Sequence, residues 1–286
     1  MSKPKASAAP RPYVIDDTNL SRAWARLLIH IFDSAGKEVS PLVLSLTGFN
    51  ESREIAEDYE LREALDALLE SKERYSTDII ADTIFPQRLW EVARRDRERL
   101  FQLYKLVFPR HQAMNRRANG RGQYFERLTM YGRGPCDGNQ LEWILEQYKS
   151  RPGVRRSMFQ ATTFDPGRDH IASAQLNFPC LQQVSFEPTS AGLVVNAFYA
   201  TQQVFDKAYG NYLGLARLGA FMSHEMGIRL ARLNVTVGVA KLDRIAKSDS
   251  DLSAVVGAAR ILLHQPAVSP RKTPSSANAE GATVEG

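Results

Sequence analysis

Apolar residues recur at two different periods along this chain, and the change from one to the other divides it. Leu20, Trp24, Leu27, Leu28 and Ile31 stand at helical spacing and predict a helix over 20–32, capped by Asn19 or Ser21. The stretch 39–46 (VSPLVLSL) is short, apolar and interrupted by Pro41, as an edge strand is. Leu61, Leu65 and Leu68 share one face of a second helix over 55–69. A third, over 89–107, carries Leu89, Val92, Leu100, Leu103, Tyr104 and Val107; its Arg94, Arg95, Arg97 and Arg99 alternate with acids in the manner of a solvated face. Residues 109–122 (PRHQAMNRRANGRG) are basic and glycine-punctuated and predict a loop that leads to Tyr124. An amphipathic helix over 140–149 is closed by Arg151-Pro152-Gly153.

Beyond that breaker the period falls towards two. Strands are expected over 154–163, 176–188 and 193–199, and the turn PTSAG between the last two predicts an antiparallel hairpin. A long helix over 204–233 holds Gly210, Gly214 and Gly219 among large apolar residues. A glycine inside a helix costs ~1 kcal/mol, so three of them imply a buried helix that other backbone approaches closely. Val235, Val237 and Val239 alternate with Thr236 and Gly238 as a final strand, and two short helices fit in 251–263. Helices early and antiparallel strands late give an α+β layered protein.

Composition bounds the answer without naming it. The chain has 286 residues, 43% hydrophobic and 24% charged, enough for a substantial core. Residues 1–12 and 265–286 are poor in apolar side chains and rich in Pro, Ser and Ala, so both are expected to be disordered tails around a single domain over 13–264. The net charge is +5, of which Lys3, Lys5 and Arg11 supply three, so the body is mildly basic and does not require nucleic acid. Two cysteines, Cys136 and Cys180, make no disulfide framework and no zinc spacing, and no metal is expected. The absence of a signal-like segment or of an apolar run of ~18 residues points to a cytoplasmic location with no membrane partner.

Four features follow one another in order. Tyr124 lies in RGQYFERLTMYGR. Arg155 and Arg156 lie in PGVRRS after the helix over 140–149. Cys180 heads a strand in FPCLQQVSF, with Pro179 fixing the entry of the chain. Asn211 enters the long helix in FYATQQVFDKAYGNYLGLARLGAFM. This succession resembles thymidylate synthase and the related pyrimidine hydroxymethylases over 120–243, most closely over 139–221. The resemblance implies a mixed, largely antiparallel sheet packed by a long buried helix, and a homodimer formed through the sheet with shared active sites. It implies that Cys180 adds to C6 of a uracil-type nucleotide, with 5,10-methylenetetrahydrofolate donating a methyl or hydroxymethyl group to C5. Tyr124 then helps proton transfer, Asn211 reads the uracil edge and Thr201 supplies a hydroxyl for the phosphate. Arg155 and Arg156 reach the partner's phosphate, where adjacent strand residues point apart unless the backbone turns there. Cys136 fits no family position.

The departures are as specific as the matches. The family's histidine after the nucleophile is Leu181, its phosphate-binding arginine is Ala200, its folate-touching acid is Gln203, and its ribose-binding His and Tyr are Lys241 and Asp243. Glu91 is the candidate for the catalytic glutamate, and Lys207, Arg217 or Lys241 are candidates for replacement charge. Two readings therefore stand side by side. One is a one-carbon transferase. The other is an altered member of the fold that binds nucleotide or nucleic acid without one-carbon transfer.

Overall fold

The computed structural model describes residues 11–115, 120, 122–151, 153–170 and 179–266. In chain order the elements are β1 (Tyr13–Asp17), α1 (Leu20–Asp33), β2 (Glu38–Val39), β3 (Leu42–Leu46), α2 (Tyr59–Ser71), α3 (Thr77–Asp82), α4 (Gln87–Val92), α5 (Arg97–Met114), α6 (Tyr124–Thr129) and α7 (Gln140–Ser150). There follow β4 (Gln160–Thr162), α8 (Pro166–Asp169), β5 (Leu181–Thr189), β6 (Gly192–Gln203), α9 (Tyr209–Glu225), β7 (Leu230–Lys241) and α10 (Ser250–His264). The strands form one seven-stranded sheet in the order β1-β3-β7-β6-β5-β4, with β2 on the far end of β7. It is a mixed sheet. β1 pairs with β3 and β6 with β7 in parallel, and the remaining pairings are antiparallel.

One face of the sheet is buried under helices. Leu44, Leu181, Val184, Phe186, Val195, Tyr199, Leu233, Val235 and Val237 point into it and join one hydrophobic cluster with α1 and α9. Trp24 of α1 is fully buried, donates its indole N–H to Val204 O at 3.1 Å and meets Tyr209 edge-on. No helix covers the other face among the described residues. Val14 and Phe198 are exposed there, 64% and 44%. A polar ladder crosses it: Ser45, Asn234, Asn196 and Ser185 stand directly opposite one another on β3, β7, β6 and β5, linked at 2.9, 2.9 and 3.3 Å.

The glycines of the long helix meet the expectation of close backbone approach. A Cβ on Gly210 would lie 2.6 Å from Thr77 O and 2.6 Å from Ile80 Cβ; one on Gly214 would lie 2.7 Å from Ala81 O. α9 thus rests on α3 almost backbone to backbone. The same helix ends earlier than periodicity predicts, at Glu225, because Gly227 takes a positive φ of 70° and turns the chain into β7 at Leu230.

Other boundaries also moved. The expected helix over 89–107 is two helices, broken where Arg94 and Arg95 take positive φ and Asp96 caps α5. The expected loop from Pro109 is helical to Met114. Leu100, Tyr104 and Phe108 bury one face of α5, and Pro109 removes only one backbone donor from it. Of the strand expected over 154–163 only β4 forms, and Arg156–Met158 is a 3₁₀ turn. Tyr124, to which the expected loop leads, opens α6, and one helix, α10, replaces the two expected over 251–263. β1 and α3, which periodicity did not single out, are short and take their place from the sheet edge and from α9. The expected tails lie outside the described residues, except for positions 11–12 and 265–266. Among the described residues no helix is long and apolar enough to cross a membrane.

A methyl group added at Gly210 meets a carbonyl that cannot step aside. Gly210→Ala is therefore expected to cost about 1–3 kcal/mol, read as a lower urea midpoint. Gly257→Ala, in α10 with open space around it, is expected to raise the midpoint by the ~1 kcal/mol of helix propensity.

Candidate functional site

Three segments bring polar side chains to the head of β5. Cys180 immediately precedes the strand and is half-buried. Its backbone carbonyl accepts from Ala200 N at 3.0 Å, which locks it to β6. Thr201, on the same stretch of β6, places Oγ1 3.7 Å from Cys180 Sγ. Tyr124, the first residue of α6, accepts from Leu181 N at 3.5 Å through its hydroxyl. Burial raises the pKa of the Tyr124 phenol, and the neighbouring Cys180 adds to the effect, so the phenol keeps its proton through the neutral range.

A buried linkage holds α6 against the strand. Arg127 and Asp169 are 2% and 0% exposed and form a two-pronged pair at 2.7 and 2.8 Å. Arg127 also donates to Thr163 O at 2.7 Å, and Thr163 donates to Leu181 O. The Tyr124 hydroxyl is thereby positioned through Asp169, Arg127 and Thr163 in succession. Burial works against ionisation of Asp169, but the hydrogen bonds and charge of Arg127 hold its pKa below the usual carboxylate value. Behind the thiol, Tyr199 is fully buried, and its hydroxyl has no partner among the described residues.

The remaining candidates are placed less uniformly. Asn211 is 4% exposed in the first turn of α9, and its amide makes no side-chain hydrogen bond among the described residues. Lys207 lies one turn before it, on the π-helical turn Val204–Ala208, within electrostatic reach of Cys180. Arg155 and Arg156 are exposed at the other end of β5, where Arg156 reaches Glu187 at 3.4 Å. Glu187 lies six residues along the strand from Leu181, about 20 Å at ~3.3 Å per residue. Within one chain the arginine pair and the thiol are thus far apart. The 3₁₀ turn also removes the strand alternation that would have sent the two arginines to opposite faces.

Glu91 bonds Gln87 at 3.0 Å on an exposed face of α4. Gln203 faces Asp243 at 3.4 Å, while the nearby carboxylate of Asp206 is 3% exposed and 3.7 Å from Arg244. Cys136 bonds Glu146 at 3.4 Å; burial and that carboxylate push its thiol up to about 11, so it is a poor nucleophile at neutral pH. Arg74, Tyr75 and Arg244, which surround Lys207, carried no local signal, because they come from segments more than a hundred residues apart. Among the described residues no three His, Cys, Asp or Glu side chains gather as metal ligands do. No family model matches the chain, and no curated protein matches it significantly.

Asp169→Asn leaves Arg127 buried without its counter-ion and is expected to cost about 3–5 kcal/mol at neutral pH, read by urea denaturation. Asp169 has a depressed folded pKa, so its contribution is complete above the unfolded value and is lost as pH falls through the folded one. The gap between wild type and variant is therefore expected to close below about pH 4.

Proposed function

We propose that the chain is a thymidylate synthase-like transferase that adds a one-carbon group to C5 of a uracil-type pyrimidine nucleotide through a Cys180 adduct. The observation that supports this most is the meeting of the Cys180 thiol, the Thr201 hydroxyl and the protonated Tyr124 phenol at one strand end, from three separate segments. A soft nucleophile beside a proton-holding phenol suits conjugate addition. The Cys180 sulfur forms a bond to C6, the C5–C6 electron pair moves to C5 and O4, and C5 becomes nucleophilic. C5 then bonds to an electrophilic one-carbon donor, whose carrier departs with the electron pair of the broken bond; the C5 proton leaves, the pair returns to C5–C6, the S–C6 bond breaks and the thiolate is regenerated. In this reading Tyr124 holds a proton for C5 or O4, and the Asn211 amide pairs with a base edge.

The residues present do not fit folate in the family's manner. Gln203 stands where the family has an acid, and Asp206 is buried against Arg244. No step is therefore derived through 5,10-methylenetetrahydrofolate. That departure, with Leu181 and Ala200 in place of the family's His and Arg, favours a second reading in which the same side chains bind a nucleotide, or nucleic acid, without transfer.

The uncovered sheet face supports a homodimer with shared sites. Pairing two copies through Phe198, Val14 and the Ser-Asn ladder would bury the exposed apolar side chains. It would also give Arg155 and Arg156, remote from Cys180 in their own chain, a thiol in the partner to serve.

Incubation with a 5-fluoropyrimidine nucleotide is expected to add one nucleotide mass to the wild-type protein and none to Cys180→Ala; wild-type protein of unchanged intact mass would exclude the transferase reading. Phe198→Asp places a charge at the centre of the open face. It is expected to turn a dimer into a monomer by sedimentation velocity with the circular dichroism unchanged.

A further inference from the structure

The position that would be an arginine in the resembling family is Ala200, so positive charge near the thiol must come from elsewhere if an anion is held there. Of the cations available, two are already neutralised. Arg217 donates to Asp78 at 2.6 Å and approaches Asp82 at 3.5 Å, and Lys241 lies 3.7 Å from Glu38. Lys207 is different. Its ammonium lies 5.6 Å from the centroid of the Tyr75 ring, and among the described residues it forms no salt bridge.

Its position follows from the chain path. The π-helical turn leaves β6 directly after Gln203, two residues beyond Thr201, whose hydroxyl contacts Cys180 Sγ at 3.7 Å. Arg74 precedes Tyr75 in the turn between α2 and α3, and Arg244 follows β7 and reaches Asp206, the neighbour of Lys207, at 3.7 Å. Arg244 thus reaches the neighbour of Lys207, Arg74 adjoins the ring over which the Lys207 ammonium stands, and three segments bring cations to the end of the sheet where Cys180 heads β5.

Their charge is incompletely balanced. Arg244 lies 3.7 Å from Asp206, whereas Lys207 and Arg74 form no salt bridge among the described residues. Burial first, then Arg244 and Arg74, push the pKa of Lys207 down, against Asp206 and Cys180. A partly desolvated ammonium without a bonded carboxylate is a costly group to hold in the fold. A dianionic ligand group would relieve both the desolvation and the repulsion among the cations.

We propose that Lys207, flanked by Arg74 and Arg244, binds the phosphate of a small phosphorylated ligand in the same chain whose Cys180 faces that ligand. The inference rests on the reading of Cys180 as a ligand-facing thiol, but not on one-carbon transfer. It assigns the phosphate to residues outside the Arg155 and Arg156 pair.

The test is protection of Cys180 from iodoacetamide at fixed pH, followed by peptide mass spectrometry, with Cys136 in the same digest as the reference for global unfolding. Pyrophosphate and uridine 5′-monophosphate are expected to slow alkylation of Cys180 in the wild type, and uridine to slow it less. Lys207→Met is expected to raise the half-protecting concentration by about 10- to 100-fold, the loss of one charge-assisted contact, and Lys207→Arg to restore most of it. Arg244→Gln, at a side chain 47% exposed, is expected to weaken protection by a smaller factor and serves if the lysine variant is unfolded. Equal protection of wild type and Lys207→Met, or no protection of the wild type by either phosphate compound, would overturn the proposal. A fluoropyrimidine adduct together with Lys207-independent protection would remove this site and leave the transferase reading. Lys207-dependent protection without an adduct would do the reverse.

Discussion

The near contact of α3 and α9 across Gly210 and Gly214 sets where the groups at the candidate site can be. α9 is buried on almost every side, so it cannot shift without disturbing the sheet above it and α1 beside it. α3 rests on its two glycines with carbonyl oxygens closer than any side chain would permit. The turn leading into α3 carries Arg74 and Tyr75, and the turn leading into α9 carries Lys207, with Asn211 one turn on. Fixing the two helices against each other therefore fixes an aromatic ring over an ammonium, at the end of the sheet where β5 begins.

The second constraint is the pairing of β5 with β6. Ala200 N holds the carbonyl of Cys180, so the thiol enters the site on a strand end rather than on a loose loop. Tyr124 comes from α6 and is held through the buried Arg127–Asp169 pair. A thiol and a phenol are thus placed by separate rigid supports, each oriented without help from a ligand. The proposed phosphate site lies on the same side of the thiol as α9, and the exposed arginine pair lies a full strand away. If both hold anions, a ligand in one chain and a partner chain across the open face divide the work.

The polar ladder on the open face shapes how that face can be used. Ser45, Asn234, Asn196 and Ser185 satisfy one another across four strands, so the face presents few unmet donors. Its exposed apolar side chains are confined to places such as Phe198 and Val14. A partner of the same shape can cover it without stranding polar atoms.

Much of this was legible before any coordinates. The period-3.6 spacing of Leu20, Trp24, Leu27 and Ile31 located α1 to within a residue, and the alternation around Val235 and Val237 located β7 from its middle onward. Glycines in an otherwise apolar helix announced the close approach of α3, although not which segment would approach. These are local facts, because side-chain periodicity and backbone freedom are properties of neighbouring residues. The helix running through Pro109 was decided by the burial of Leu100, Tyr104 and Phe108. Which cation stands beside Cys180 was decided by three segments folding together. The sequence offered Lys207, Arg217 and Lys241 on equal terms, and only the tertiary structure paired two of them with carboxylates and left the third beside an aromatic ring. Electrostatic partners are chosen by distance in space, and distance in space between remote segments is written in no single stretch of the chain.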